Sequence, residues 1–444
     1  MFRQKTNACL ASAIFSLAAI SGTASPVIAQ EAGSLFATGH QQLQYKSSSL
    51  QAERGLFFVP ENRQKKDSRL IAVAYMRFPS TAEQPGTPII WLAGGPGGSA
   101  ISRFVGGQFN DLYSIEEQQT LNDLRSVADV IMVDQRGAHA SLPNLICPNP
   151  TQDTPADRPT SKKDQLQSYK QYAATCKSSW GQTGHDIDGY QIDELTADVK
   201  AFADKMGFEK ITLYGGSFGS QWSFAINHRY PELVEKMILW GIEDLNDTYD
   251  DPDAMLVALK GILQDVEQDA TIAPFVPDGG FYPVILDRIA ALEKNPKLVT
   301  VSNPKTGEEQ SVHFGADELR GIWWQDPSGW RLGERAGSHL WADTLIAIVN
   351  EDYEVLAGRV AASKKGSPGS MTWSSALTYA VDCRLSPSRA RAKGYGKAPA
   401  VSVIGDINLG YRGMCPEWGV KRPPSSFFDA PASSTPALFI HGTY

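Results

Sequence analysis

The sequence predicts an α/β fold: a mostly parallel sheet flanked by helices and interrupted by a mainly helical insertion. Three observations carry this. Pro88–Leu92 and Val130–Val133 are short, wholly apolar runs, as expected of strands buried on both faces. A helix–strand–helix passage follows. In it Leu195, Val199, Phe202 and Met206 recur at helical spacing, Gly207 ends that helix, Ile211–Tyr214 is a strand, and a second helix runs from Ser217 to His228. The turn between that strand and the second helix reads Gly215-Gly216-Ser217-Phe218-Gly219, a G-x-S-x-G pattern in its strand–helix setting.

Taken in order, residues 1–29 read as a targeting segment. Arg3 and Lys5 precede the uncharged apolar run Ala8–Ile20, and Val27-Ile28-Ala29 offers a small-residue cleavage site. That run is short for a membrane span, and no later stretch of about 20 apolar residues follows. The expectation is an exported, soluble protein. Residues 30–51 are polar and read as a loose lead-in. Gly55–Pro60 and Arg69–Phe78 form a hairpin around the polar turn Glu61–Asp67.

The core is expected to occupy residues 30–244, ending after the strand Met237–Trp240. Residues 245–430 read as a helical lid or cap insertion, with helices over 254–266, 281–292 and 340–356 and a hairpin over 299–314. Trp323, Trp324, Trp330, Trp341 and Trp373 fall in it, either lining a site or packing an ordinary second core. Residues 431–444 return to the core with the strand Ala437–Ile440.

Composition bounds the function. The 444 residues, 42% hydrophobic, suffice for two or three domain-sized units. Lys and Arg number 41 against 49 Asp and Glu, and no basic stripe stands out, so nucleic-acid binding has no electrostatic support. Cys9 lies in the targeting segment, which leaves Cys147, Cys176, Cys383 and Cys415. Four cysteines in an exported chain point to two disulfides. Of the three pairings, the local one is favoured, Cys147–Cys176 with Cys383–Cys415. Their spacings fit no zinc motif, and neither a metal nor an organic cofactor is implied.

The chemistry centres on Ser217. A tight turn flanked by glycines projects its Oγ from the sheet and leaves the Phe218 N–H at a helix N-terminus, where an oxyanion is stabilised. A second donor is expected from Ala93-Gly94-Gly95-Pro96-Gly97-Gly98-Ser99, directly after the strand Pro88–Leu92, with Gly95 the choice. This loop carries neither G-x-G-x-x-G nor a following Gly-Lys-Ser/Thr, so phosphate binding is disfavoured. Asp134-Gln135-Arg136-Gly137 closes the strand Val130–Val133, and its charged pair reads as a buried scaffold for the adjacent loops.

The Gly-Gly-Pro-Gly-Gly-Ser loop, Asp-Gln-Arg-Gly and Gly-Gly-Ser-Phe-Gly, in this order and spacing, resemble prolyl and tripeptidyl aminopeptidases. The resemblance extends to Asp186–Tyr190, His228–Glu232, Cys415 and Trp418. It implies an α/β-hydrolase-fold serine peptidase that cleaves short peptides from a free N-terminus, the amine held by acidic lid residues. Glu318 and Glu334 are candidates for that role. Two departures stand out: Ala93 where many relatives carry His, and Ala138-His139-Ala140-Ser141 where Thr-Gly-x-Ser is commoner.

In this fold the chain order is nucleophile, acid, histidine. The acid follows a strand like Ala437–Ile440, so acid and base are both expected beyond Tyr444, and turnover by these residues alone is expected to be weak or absent. His139, His228 and His441 are poorly placed for the base. Glu243 and Asp244 occupy the position where a minority of this fold carries the acid. An esterase, or a non-catalytic binding protein with the same fold, are the rival expectations.

Overall fold

The computed structural model describes residues 35–45, 48–105, 111–147, 155, 157–245, 251–302, 307, 309–325, 337–364, 374–385, 394–429 and 433–441. Its centre is an eight-stranded sheet ordered β1-β2-β3-β5-β4-β6-β7-β10. β1 (Leu35–Tyr45), β2 (Ser48–Pro60) and β3 (Leu70–Phe78) form an antiparallel meander at one side, and β3 pairs antiparallel with β5 (Val130–Val133). From β5 onward, β4 (Ile89–Leu92), β6 (Ile211–Ser217), β7 (Val234–Ile242) and β10 (Ala437–Ile440) all run parallel. Every residue of β4 and β5 is buried, as their unbroken apolar character requires.

The expected loose lead-in is a strand pair instead. β2 begins at Ser48 and pairs with β1 along its length. Its inward signal is confined to alternate residues: Leu50 and Ala52 are buried while Gln51 between them is exposed. Backbone pairing holds such a strand even where its composition is polar.

Helices α1 (Ser102–Val105), α2 (Asp111–Arg125), α3 (Lys162–Thr183), α4 (Ile192–Met206) and α5 (Phe218–Arg229) accompany the first seven strands. α3 was not expected from its polar sequence. A capping box of Ser161 and Asp164 starts it, left-handed Gly184 ends it, and it buries only Ala173, Cys176 and Trp180.

Residues 245–430 contain α6 (Pro252–Gln268), α7 (Phe281–Lys294), the hairpin β8 (Lys297–Ser302) and β9 (Glu309–Phe314), α8 (Ala316–Gln325), α9 (Gly337–Asn350), α10 (Tyr353–Lys364), α11 (Ser375–Leu385), α12 (Val401–Ile404) and α13 (Leu409–Trp418). The helix expected over 340–356 is two, α9 and α10. Glu351, at φ +55°, cannot continue a right-handed helix, and the Asp352 carboxylate accepts from Val355 N–H at the new start.

The segment divides between two cores. Leu259, Ile285, Phe314, Leu319, Leu345, Leu356 and Ile404 form a core of their own. Ala376, Ala380, Val381 and Trp418, from α11 and α13, pack instead into the main core with Val133, Leu213, Phe218 and Trp222.

Both disulfides take the local pairing, Cys147–Cys176 and Cys383–Cys415. The expected targeting segment with Cys9, Glu334, and the side chains of Trp323, Trp324, Trp330, Trp341 and Trp373 lie outside the described residues. Among the described residues, no helix is long and apolar enough to cross a membrane.

Candidate active site

Strand register brings the three motifs together. Leu92, the last residue of β4, pairs with Val133 on one side and with Gly215 on the other. The Gly-rich loop, Asp-Gln-Arg-Gly and the Ser217 turn therefore leave the sheet at the same edge. Ser217 itself sits at φ +54°, ψ −132°, a left-handed conformation that a residue with a side chain adopts only under strain. It ends β6 and caps α5, yet makes no side-chain cap bond to the helix. Phe218 is the first helical residue, where backbone N–H groups have no partner inside the helix.

Close approach explains the glycines. A Cβ on Gly219 would stand 2.5 Å from the Leu92 carbonyl oxygen, so α5 packs against the end of β4 only without one. A Cβ on Gly94 would stand 3.3 Å from the Ser217 Cβ. The Gly-rich loop thus lies directly against the serine. Gly95, at φ +127°, follows in that loop.

The family described as the alpha/beta hydrolase fold matches residues 87–278, from just before β4 to just before α7. The chain has the α/β-hydrolase fold. Among curated relatives, the serine protease Hip1 of Mycobacterium tuberculosis is 27% identical over 204 residues, covering 43% of this chain and 36% of Hip1. Epoxide hydrolase 1 of Caenorhabditis elegans is 36% identical over 58 residues, covering 13% of this chain and 14% of that protein. The chain thus spans little more than a third of Hip1's length. A solved proline iminopeptidase-related protein from Thermus thermophilus aligns at 19% identity over 42% of this chain and 44% of its own, with a TM-score of 0.24.

In this chain of α/β-hydrolase fold, Ser217 Oγ donates a hydrogen bond to Glu243 Oε1 at 2.9 Å. A register shift between Gly216 and Ser217 sets Ile242 opposite Ser217, so the next residue of the β7 exit reaches the serine. α5 fixes that exit. Ser220 Oγ donates to the Ser217 carbonyl at 2.7 Å and accepts from Glu243 N–H at 2.9 Å, while Gln221 Nε2 donates to the Asp244 carbonyl. A carboxylate beside a strained serine at a helix N-terminus can take a proton or bind a cation.

The residues after β5 are structural. Asp134, buried, accepts from Ser99 Oγ with both carboxylate oxygens at 2.8 Å. Gln135 accepts from Gly97 N–H at 2.7 Å and donates to the Ala93 and Gly94 carbonyls at 3.1 Å. Arg136, fully buried, holds Asp198 through two bonds of 2.7 Å and donates to the carbonyls of Glu61 and Gly189. Arg63 joins the same acids, Glu194 and Asp198. Burial alone would lower the Arg63 pKa, but the two carboxylates outweigh it and the net shift is upward.

The histidines differ in setting. His139 Nδ1 lies 3.6 Å from the Asp134 carboxylate. Its φ of +42° accounts for the commoner glycine at this place in the motif, since only glycine adopts such a φ without strain. His228 is on α5, and His441 is exposed beyond β10. Glu318 is engaged structurally, accepting from the Thr160 and Gly315 N–H groups.

Proposed function

We propose that the chain is an exported serine hydrolase of the aminopeptidase type, acting on peptides with a free N-terminus. Ser217 attacks the scissile carbonyl and forms an acyl-enzyme. The Gly95 and Phe218 N–H groups receive the negative charge of the tetrahedral intermediate. Proton transfer to and from Ser217 would run through an acid and a histidine, which this fold orders after the nucleophile in the chain. The insertion within 245–430 serves as the lid, and residues 1–29 as the export signal.

The observation that carries this reading is the strained Ser217 at the head of α5, unused as a cap and bonded to Glu243. Glu243 adds a substrate preference. In an aminopeptidase releasing one residue, the substrate amine lies about 2.5 Å from the attacked carbonyl carbon, two bonds away. A carboxylate that touches the nucleophile is within reach of that amine, whereas the amine of a released tripeptide lies two residues further off. Glu243 therefore favours release of single residues.

The test is labelling by a fluorophosphonate of the full natural chain, followed by comparison of free-amine aminoacyl naphthylamides, N-blocked ones and nitrophenyl esters. Labelling lost in Ser217→Ala and a marked preference for free amines are expected. Activity confined to esters would make the protein an esterase, and absence of labelling would make it a binder.

A further inference from the structure

The Gly-rich loop is gripped from two places in the chain that the catalytic scheme does not use. One is Gln135. Its side chain is fully buried and, among the described residues, spends its hydrogen bonds on this loop, taking the Gly97 N–H and giving to the Ala93 and Gly94 carbonyls. The other is the start of α11, more than 270 residues downstream of the loop. There Ser374 N–H donates to the Gly97 carbonyl at 2.9 Å, and Thr378 Oγ1 donates to the Pro96 carbonyl at 2.5 Å. Ser374 also reaches across with its Oγ to the Leu145 carbonyl. The fit is close: a Cβ on Gly97 would run into the Ser374 carbonyl.

We propose that Gln135 and Thr378 are positioning residues for the reaction at Ser217, holding residues 93–97 so that the Gly95 N–H meets the developing oxyanion. This rests on Ser217 being the nucleophile. The grip falls on Ala93, Gly94, Pro96 and Gly97, that is, on the residues on either side of Gly95, and Gly94 of the same loop lies against Ser217. An oxyanion donor works by being fixed before charge develops, so its value depends on its anchors. α11 is itself fixed, through Cys383–Cys415 to α13 and through Ala376 and Val381 in the main core. The site is therefore complete only when α11, a late part of the chain, has docked on a loop that precedes the nucleophile.

The experiment uses the full natural chain and a fluorophosphonate. The labelling rate of Ser217 is resolved into the probe's binding constant and its limiting rate, because an oxyanion donor acts on the second. Thermal unfolding of each variant is recorded alongside. Thr378→Val, which keeps shape and loses the hydroxyl, is expected to slow the limiting rate about tenfold with binding changed less than about twofold. Thr378→Ser, which restores the hydroxyl, is expected to stay within about twofold of the wild type. Gln135→Met is expected to slow it about a hundredfold.

Should Gln135→Met fail to fold, the two Thr378 variants decide. Folded Thr378→Val labelling as fast as wild type would overturn the role of Thr378, as would Thr378→Ser proving equally slow. Wild type that does not label at Ser217 would overturn the nucleophile assignment and this role with it. Wild type that labels while the variants match it would overturn the positioning role alone.

Discussion

Ser217 Oγ and the Glu243 carboxylate meet at 2.9 Å, joined across two adjacent parallel strands, with Ser220 bridging the backbone of both residues. The contact is a product of register. One shifted pair at the end of β6 and β7 decides which residue of the β7 exit, Glu243, stands beside the serine. In Glu243→Gln the hydrogen bond to Ser217 can persist while the charge is lost. A charge-assisted hydrogen bond to a substrate ammonium contributes about 1.5–3 kcal/mol, which corresponds to roughly ten- to a hundredfold in kcat/KM. That loss is expected for free-amine substrates only, with N-blocked substrates and esters changed by less than about threefold. Equal losses for both substrate types would remove Glu243 from amine recognition and leave it as a group acting on the serine itself.

Strain at Ser217 predicts a trade between stability and chemistry. A non-glycine residue in this conformation costs about 1–3 kcal/mol, while glycine costs about 0.5–1 kcal/mol of extra chain entropy. Ser217→Gly is expected to be more stable than Ser217→Ala by about 1 kcal/mol, both being unlabelled by a fluorophosphonate. Urea unfolding measures this. Equal stability of the two variants would mean that the backbone at residue 217 is unstrained.

Much of this site was legible in the sequence because each motif is local. The turn at Ser217, the loop at Gly95 and the scaffold role of Asp134 and Arg136 each follow from a strand and the few residues after it. Local pairing of the cysteines was legible for the same reason. The Ser217–Glu243 contact was visible only as a position in the chain, since it depends on a register shift that no residue pattern announces. Thr378 was not legible at all, because its partner Pro96 is 282 residues away and its helix sits in a segment that reads as an insertion. β1 and β2 were missed where their composition is polar, and α3 because it buries so few side chains. Short-range chemistry was readable, and contacts made by docking were not.

The buried charge network behind the site predicts a large, non-additive cost. Arg136 and Asp198 are both almost wholly buried and share two bonds of 2.7 Å. Arg136→Met leaves the Asp198 carboxylate buried with Arg63 as its remaining cation among the described contacts. Loss of one partner from such a pair costs about 3–5 kcal/mol. Removing the stranded charge as well, in Arg136→Met with Asp198→Asn, is expected to recover more than about 1 kcal/mol relative to the sum of the single changes. Denaturant unfolding of the four proteins measures the coupling, and strict additivity would mean that the two residues act independently.

Alkaline pH tests the edge of the same network at Tyr190. Its phenol is buried and donates to Glu61 Oε1 at 2.8 Å. Burial, followed by the nearby Glu61 charge, holds its pKa well above the ordinary tyrosine value of about 10. The folded state therefore keeps this proton at a pH where the unfolded chain gives it up. The stability that follows is fully present below the unfolded value and falls as pH rises above about 10. Tyr190→Phe loses the bond to Glu61 and is expected to be less stable at pH 8, but its decline between about pH 10 and 11 should be shallower than that of the wild type. Comparing the two slopes cancels the titration of lysines and other tyrosines common to both proteins. Parallel slopes would mean that Tyr190 ionises alike in the folded and unfolded states, and that its burial is relieved at alkaline pH before the phenol titrates.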